Sequence, residues 1–276
     1  MSDRTPADLL ASALAADPSR PLVTFYDDAT GERIELSAKV FANWVAKTAN
    51  LLVDGLDAEP GDRVALALPP HWQTAVWLMA CWSAGVVAVP VAATTEGSPR
   101  GEGGDLGTVR ADIVAVAEEL LPEVPADTGA REVVGLSLHS LGAPLSAAPP
   151  GVVDYAVEIR AYADDFVPYA EVDPDEPALI VMNATFSATD LVRRAREAAV
   201  TWQLDAQSRI LVDLPLITLE GVLAALLAPL SANGSVIIQR NLDKVTLDRR
   251  LSLEHVTAVA GVPGWDPRTG PVRRLL

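Results

Sequence analysis

Between Arg63 and Val89 the chain places two short apolar runs on either side of a helix that is apolar almost all round. Arg63 to Leu68 reads as a strand, which Pro69-Pro70 interrupts. His71 to Ala84 reads as a helix carrying Trp72, Val76, Trp77, Leu78, Met79, Cys81 and Trp82, and such a helix is buried on more than one side. Gly85 closes it, and Val86 to Val89 is a second buried strand. Strand, helix and strand at this length form a βαβ unit, so a parallel sheet with a right-handed crossover is expected. That sets the class as α/β, with mostly parallel sheets flanked by helices.

A second stretch, Pro177 to Trp202, bears on function. Ala178 to Met182 reads as a short buried strand, and Asn183 to Thr189 as a polar loop. From Ala188 the spacing turns helical, with Leu191, Ala195, Ala198, Ala199 and Trp202 on one face. Strand, small-residue loop and helix N-terminus is the layout that gathers backbone N–H groups around a phosphate. Yet Asn183 to Thr189 contains neither glycine nor lysine.

Charge narrows the partners. With 37 acids against 21 bases the formal charge is −16, which disfavours nucleic acid and anionic membranes, both of which require a basic footprint. The acids are scattered, as on a solvated surface. The single cysteine, Cys81, is expected in the core, and a chain without an internal disulfide fits a reducing compartment. The opening Met-Ser-Asp-Arg-Thr-Pro has no apolar leader, and Leu214 to Leu230 is broken by Glu220, Gly221 and Pro229. A soluble cytoplasmic protein is expected.

Elsewhere, Thr5 to Ala16 reads as a helix, and Leu22 to Tyr26 with Arg33 to Leu36 as a hairpin. Ser37 is placed to cap a helix that Gly55 stops. Thr94 to Gly107 reads as a surface loop, and Asp112 to Val116 and Arg131 to Leu138 as strands. Glu118 opens a helix, and the Pro/Ala-rich Gly142 to Gly151 reads as a connector. Val153 to Ala161 alternates apolar and polar, which favours a half-exposed strand and leaves a helix open. Asp154, Glu158, Asp164 and Asp165 read as a solvated acidic face, since they lack metal-ligand spacing. The three histidines, His71, His139 and His255, are expected at the surface or at helix ends, with no metal centre.

Several of these segments together resemble the adenylate-forming superfamily of AMP-binding enzymes: acyl-CoA synthetases, luciferases and adenylation domains. The likeness is carried by Pro60-Gly61-Asp62-Arg63-Val64-Ala65, then Ala84-Gly85-Val86-Val87-Ala88-Val89-Pro90. It resumes at Pro177 to Val181, Leu214-Pro215-Leu216, Gly234 to Ile238 and Val256 to Pro263. The resemblance implies the N-terminal subdomains of that fold, divided here as 1–106, a variable middle 107–176, and 177–276. It also implies a chemistry, in which a carboxylate and ATP give an acyl-adenylate and pyrophosphate.

The departures fall on the residues that chemistry requires. The family's phosphate loop reads roughly Thr-Ser-Gly-Thr-Thr-Gly-x-Pro-Lys, and here the matching positions are Asn183 to Leu191, without its glycines, proline or lysine. Ser187 and Asp190 instead form a capping-box pattern, which sets a carboxylate where a phosphate would sit. The family commonly has a histidine where Thr218 stands. Its glutamate motif, ribose-binding aspartate and C-terminal domain with the catalytic lysine are expected to lie beyond the end of this chain. The resemblance therefore implies no catalytic residue and no metal ligand, with Thr185, Ser187 and Thr189 as the residual phosphate-loop positions.

Three functions follow from this. The chain is expected to be a shortened, catalytically inactive homologue acting as a binding or assembly module, in a homodimer or in complex with another protein. Alternatively it is a ligase with an altered site for ATP or AMP and Mg, or one completed by a partner subunit, or a regulator that docks on a full-length synthetase. No resident cofactor is expected in the first case.

Overall fold

The computed structural model describes residues 3–92, 106, 109–125, 128–139, 142–267 and 271–276. The Thr94–Gly107 segment lies outside them except for Leu106. Along the chain the strands are β1 (Pro21–Asp27), β2 (Glu32–Ser37), β3 (Arg63–Ala67), β4 (Val87–Pro90), β5 (Ile113–Ala117), β6 (Glu132–Leu136) and β7 (Val152–Asp154). They continue as β8 (Pro177–Val181), β9 (Ala184–Ser187), β10 (Arg209–Val212), β11 (Ser235–Arg240), β12 (Ala258–Ala260) and β13 (Arg273–Arg274). The chain divides into two compact units, one of Met1–Phe41, Pro70–Ala75 and Leu191–Leu276, the other of Ala42–Pro69 and Val76–Asp190. Each unit holds one sheet, parallel throughout except for one hairpin at its edge.

In the first unit the strand order is β13-β12-β10-β11-β1-β2. β1 and β2 form the hairpin, and β1 pairs parallel with β11 from the far end of the sequence, Val23 opposite Val236 and Phe25 opposite Ile238. α1 (Pro6–Ala16) begins at a capping box in which the Thr5 Oγ accepts the Asp8 N–H at 3.1 Å and Asp8 accepts the Thr5 N–H at 2.9 Å. One face of the helix Lys244–Leu253, through Leu247 and Leu251, packs on Leu211, Ile237 and Val259 of the sheet. His71 belongs to this core and is not a surface group. It is 1% exposed, with its ring edge-on to Phe25 at 4.3 Å. The apolar neighbourhood that Phe25 and Trp72 create outweighed the polarity of one imidazole.

In the second unit the order is β7-β6-β5-β3-β4-β8-β9. The inner strands β3, β4 and β5 are buried almost end to end, as parallel strands covered on both faces must be. The expected β3–helix–β4 unit is present, with α3 (Trp72–Ala84) between parallel strands paired Arg63 to Val87 through Leu66 to Pro90. Cys81 is fully buried in it. α2 (Ala38–Asn50) starts after Ser37, whose Oγ accepts the Val40 N–H at 3.2 Å.

Two segments differ from expectation. The strand at Val153 ends one residue later, because the Asp154 carboxylate accepts the N–H groups of Ala156 and Val157 and starts α4 (Tyr155–Glu158). Asp154 also accepts the Leu145 N–H at 2.8 Å, so it is a structural cap and not part of a solvated face. The Asn183–Thr189 loop is largely strand. Its residues 184–187 are β9, antiparallel to β8. Among the described residues no helix is long and apolar enough to cross a membrane.

Candidate functional site

The position that a phosphate loop would occupy is a two-residue turn. β8 and β9 pair Val181 with Ala184, Ile180 with Thr185 and Leu179 with Phe186, leaving only Met182 and Asn183 between them. Both have positive φ, 48° and 62°, the backbone of a type I′ hairpin turn. That turn matches the right-handed twist of the strands it joins, so the chain reverses at once instead of opening into a loop. Met182 stands 45% exposed at its tip.

α5 (Ala188–Thr201) begins directly after β9. Two of its first N–H groups, which in a phosphate site would face the ligand, have partners in the protein. Asp190 N–H donates to Ser187 Oγ at 3.1 Å, and Thr189 N–H donates to the Pro174 carbonyl at 2.9 Å. The Ser187 hydroxyl donates to the Asp190 carboxylate at 3.3 Å, and the Thr189 hydroxyl donates to Asp175 at 2.8 Å. Of the three positions the sequence singled out, Ser187 and Thr189 are thus engaged with carboxylates, and Thr185 lies exposed on β9. All three sit within five residues.

Thr218 caps the helix that starts at Leu219, its Oγ accepting the Gly221 N–H at 3.0 Å. His139 and His255 are exposed. Among the described residues no group of three or more His, Cys, Asp or Glu side chains could hold a metal ion.

Sequence reading missed an electrostatic cluster in the first unit. The Glu254 carboxylate accepts from Arg209 at 2.6 Å, from Tyr26 Oη at 2.5 Å and from Arg33 Nε at 2.9 Å. Burial alone would raise the Glu254 pKa, but the bonds from Arg33, Tyr26 and Arg209 outweigh it and hold it at about 2. Arg250 pairs with Asp28 at 2.5 Å, and its guanidinium stacks 4.2 Å above the Tyr26 ring. Asp213, just after β10, has its carboxyl pushed up by burial against the lowering pull of Lys244. These partners are separated by up to 228 residues, and no local signal announces them. His71 is driven down to about 3 by burial and then by the nearby Arg240 charge.

Two mainly parallel sheets flanked by helices, each with one antiparallel edge hairpin, define the chain as an α/β protein with the N-terminal architecture of adenylate-forming enzymes. The chain belongs to the AMP-binding enzyme family, whose model matches residues 10–265. A Mycobacterium tuberculosis protein is 39% identical over 251 residues, covering 91% of this chain and 96% of that one. Among solved structures, apo MatB from Rhodopseudomonas palustris superposes with a TM-score of 0.69 at 20% identity, over 93% of this chain and 49% of its own. The anthranilate CoA ligase AuaEII in complex with anthranoyl-AMP gives 0.75 at 16% identity, over 93% and 49%. The Brucella canis acyl-CoA synthetase gives 0.75 at 16%, over 94% and 47%. The chain thus spans about half the length of these solved enzymes.

Proposed function

We propose that this chain is a non-catalytic member of the AMP-binding family that works as a binding or assembly module. The observation carrying this is the hairpin at Met182-Asn183, where ladder hydrogen bonds take up the backbone groups a phosphate would need. Two N–H groups in the first turn of α5, those of Thr189 and Asp190, are likewise satisfied from within. Asp190 adds a carboxylate at the positive end of the helix, where it offsets the dipole that would attract an anion. It would repel a polyphosphate by about 1 kcal/mol per charge pair at 4 Å in water, and by more when dehydrated. Adenylyl transfer depends mainly on positioning and charge neutralisation, and this stretch supplies neither.

Thermal unfolding with Mg-ATP or AMP, alongside pyrophosphate exchange over a panel of carboxylates, tests the reading. No shift and no exchange are expected. A bound nucleotide at a hundredfold excess over its dissociation constant would add about 2.7 kcal/mol, a readily seen displacement. A module of this kind acts through another polypeptide, so light scattering should report a homodimer, or native co-purification a second protein.

A second reading is an enzyme completed by further polypeptide, supported by the chain's matching only about half the length of the solved ligases. Exchange activity in the isolated chain or its native complex would favour it over the first.

A further inference from the structure

β3, β4 and β8 are adjacent parallel strands, so their starting residues lie side by side at one end of the second unit's sheet. There Pro60, Gly61 and Arg63, the Gly85–Val87 stretch and the Glu176–Ala178 stretch surround a cavity of about 480 Å³. The Gly61 N–H donates to the Gly85 carbonyl at 3.0 Å, and both residues have positive φ, so the two turns close tightly behind it. Trp82 lies at its base, buried, with its indole N–H donated to the Ala178 carbonyl at 2.9 Å. Its ring therefore presents apolar surface with no polar group left to satisfy. Val87, Ile180 and Ala188 complete an apolar floor. The segment Ala170–Asp173 forms the other wall, and Val172 packs so closely on Gly85 that an added Cβ there would meet it at 3.3 Å.

The charges on this lining are unequal. Glu171, Asp173 and Glu176 face a single cation, Arg63. Asp173 accepts the Asp175 N–H at 3.0 Å, whereas the side chains of Glu171, Glu176 and Arg63 make no hydrogen bond or ion pair among the described residues. Apolar floors with a few convergent polar groups, at volumes of roughly 300–1,000 Å³, are the usual form of small-molecule sites. An excess of carboxylates at the rim selects for positive charge. We infer that this cavity binds a small organic cation, a primary ammonium on an apolar body. The body rests on Trp82 and Ile180, and the ammonium meets Glu171 and Glu176. The site gathers at the start of β8, and Ile180 and Thr185 carry its lining to within two residues of the Met182-Asn183 turn; because its ligand is a cation and a nucleotide is an anion, the two are told apart by the charge of the probe.

Calorimetric titration with 2-phenylethylammonium, 2-phenylethanol, 3-phenylpropanoate and L-phenylalanine tests this. The Trp82 indole N–H resonance, assigned through Trp82→Phe, reports the location. The ammonium compound should bind saturably, about tenfold or more tighter than the alcohol, shift the Trp82 signal and weaken with added salt. Glu171→Gln with Glu176→Gln should bring it down to the level of the alcohol. Ile180→Trp should fill the cavity and abolish binding, and Thr185→Trp does the same from Thr185, an exposed β9 residue that also lines the cavity, should the first variant fail to fold. Equal binding of ammonium and alcohol would overturn the inference, as would tighter binding of 3-phenylpropanoate or phenylalanine, or an unmoved Trp82 resonance.

Discussion

The Ser187 hydroxyl accepts the backbone N–H of Asp190 at 3.1 Å and donates to the same residue's carboxylate at 3.3 Å. Two side chains three residues apart thereby close the helix end that would otherwise be open to an anion. Ser187→Ala removes a cap of the kind that contributes about 1 kcal/mol, and urea unfolding should show a loss of that size. Asp190→Asn should cost only about 0.3–1 kcal/mol, the helix-dipole share. Neither variant should acquire a Mg-ATP melting shift, because the hairpin still occupies the loop's place.

Met182 is a more testable position. A type I′ turn holds both central residues at positive φ, which a side chain other than Asn, Asp or Gly adopts at a cost. Since Met182 is half exposed at the tip, replacing it sacrifices little packing. Met182→Asn should therefore stabilise the protein by about 0.5–1 kcal/mol, and Asn183→Gly should do no harm. A stability loss in Met182→Asn would show that the methionine side chain, not the turn, governs this tip.

How legible these features were depends on the range of the interactions that make them. The βαβ unit, the β1–β2 hairpin, the start of α5 at Ala188 and the caps at Ser37 and Ser187 rest on neighbouring residues, and the sequence pattern shows them. β9 had a local signal as well. Thr185 and Phe186 are strand formers, and Asn183 before them is a hairpin residue, but the strand–loop–helix layout outweighs them and favours a loop. Long-range pairing was not legible. Nothing near Val23 says that Val236 will lie beside it, and nothing near Glu254 announces Tyr26 or Arg209. The same holds for the cavity at Trp82, whose walls come from four separate stretches.

His71 gives the chain a pH dependence near neutrality. Its folded pKa of about 3 lies below the unfolded value of about 6.5, so between these values the unfolded state binds the extra proton. Stability contributed by the neutral imidazole is complete above about pH 6.5 and declines as pH falls, by up to about 1.4 kcal/mol per unit. His71→Asn keeps an acceptor for the Gln73 N–H, which now donates to His71 Nδ1 at 3.2 Å. Denaturant unfolding between pH 7.5 and 5, a window chosen above the carboxylate range of about 4, should slope downward in the parent and run flatter in the variant. Equal slopes would mean that His71 gains a proton without unfolding.

Below that window Glu254 takes over. Its pKa is held at about 2, against an ordinary glutamate value of 4.5, so the stability it contributes is present above about 4.5 and lost as pH falls toward 2. With side-chain exposures of 13% for Arg209 and 11% for Glu254, the pair is largely shielded from water. Glu254→Gln sets Arg209 and Arg33 opposite a neutral amide and leaves them Glu35, 2.8 Å from Arg33 and 3.4 Å from Arg209, as their remaining carboxylate. Breaking a buried pair from one side costs about 3–5 kcal/mol, and the partial exposure here brings the expected loss to about 2–3 kcal/mol. Arg209→Met combined with Glu254→Gln should cost less than the two single changes summed, because each single change already removes the 2.6 Å contact between them, and Glu254→Gln leaves Arg209 the longer 3.4 Å contact with Glu35. Additive losses in that double-mutant cycle would instead mean that Tyr26 and Arg33 hold Glu254 in place without Arg209.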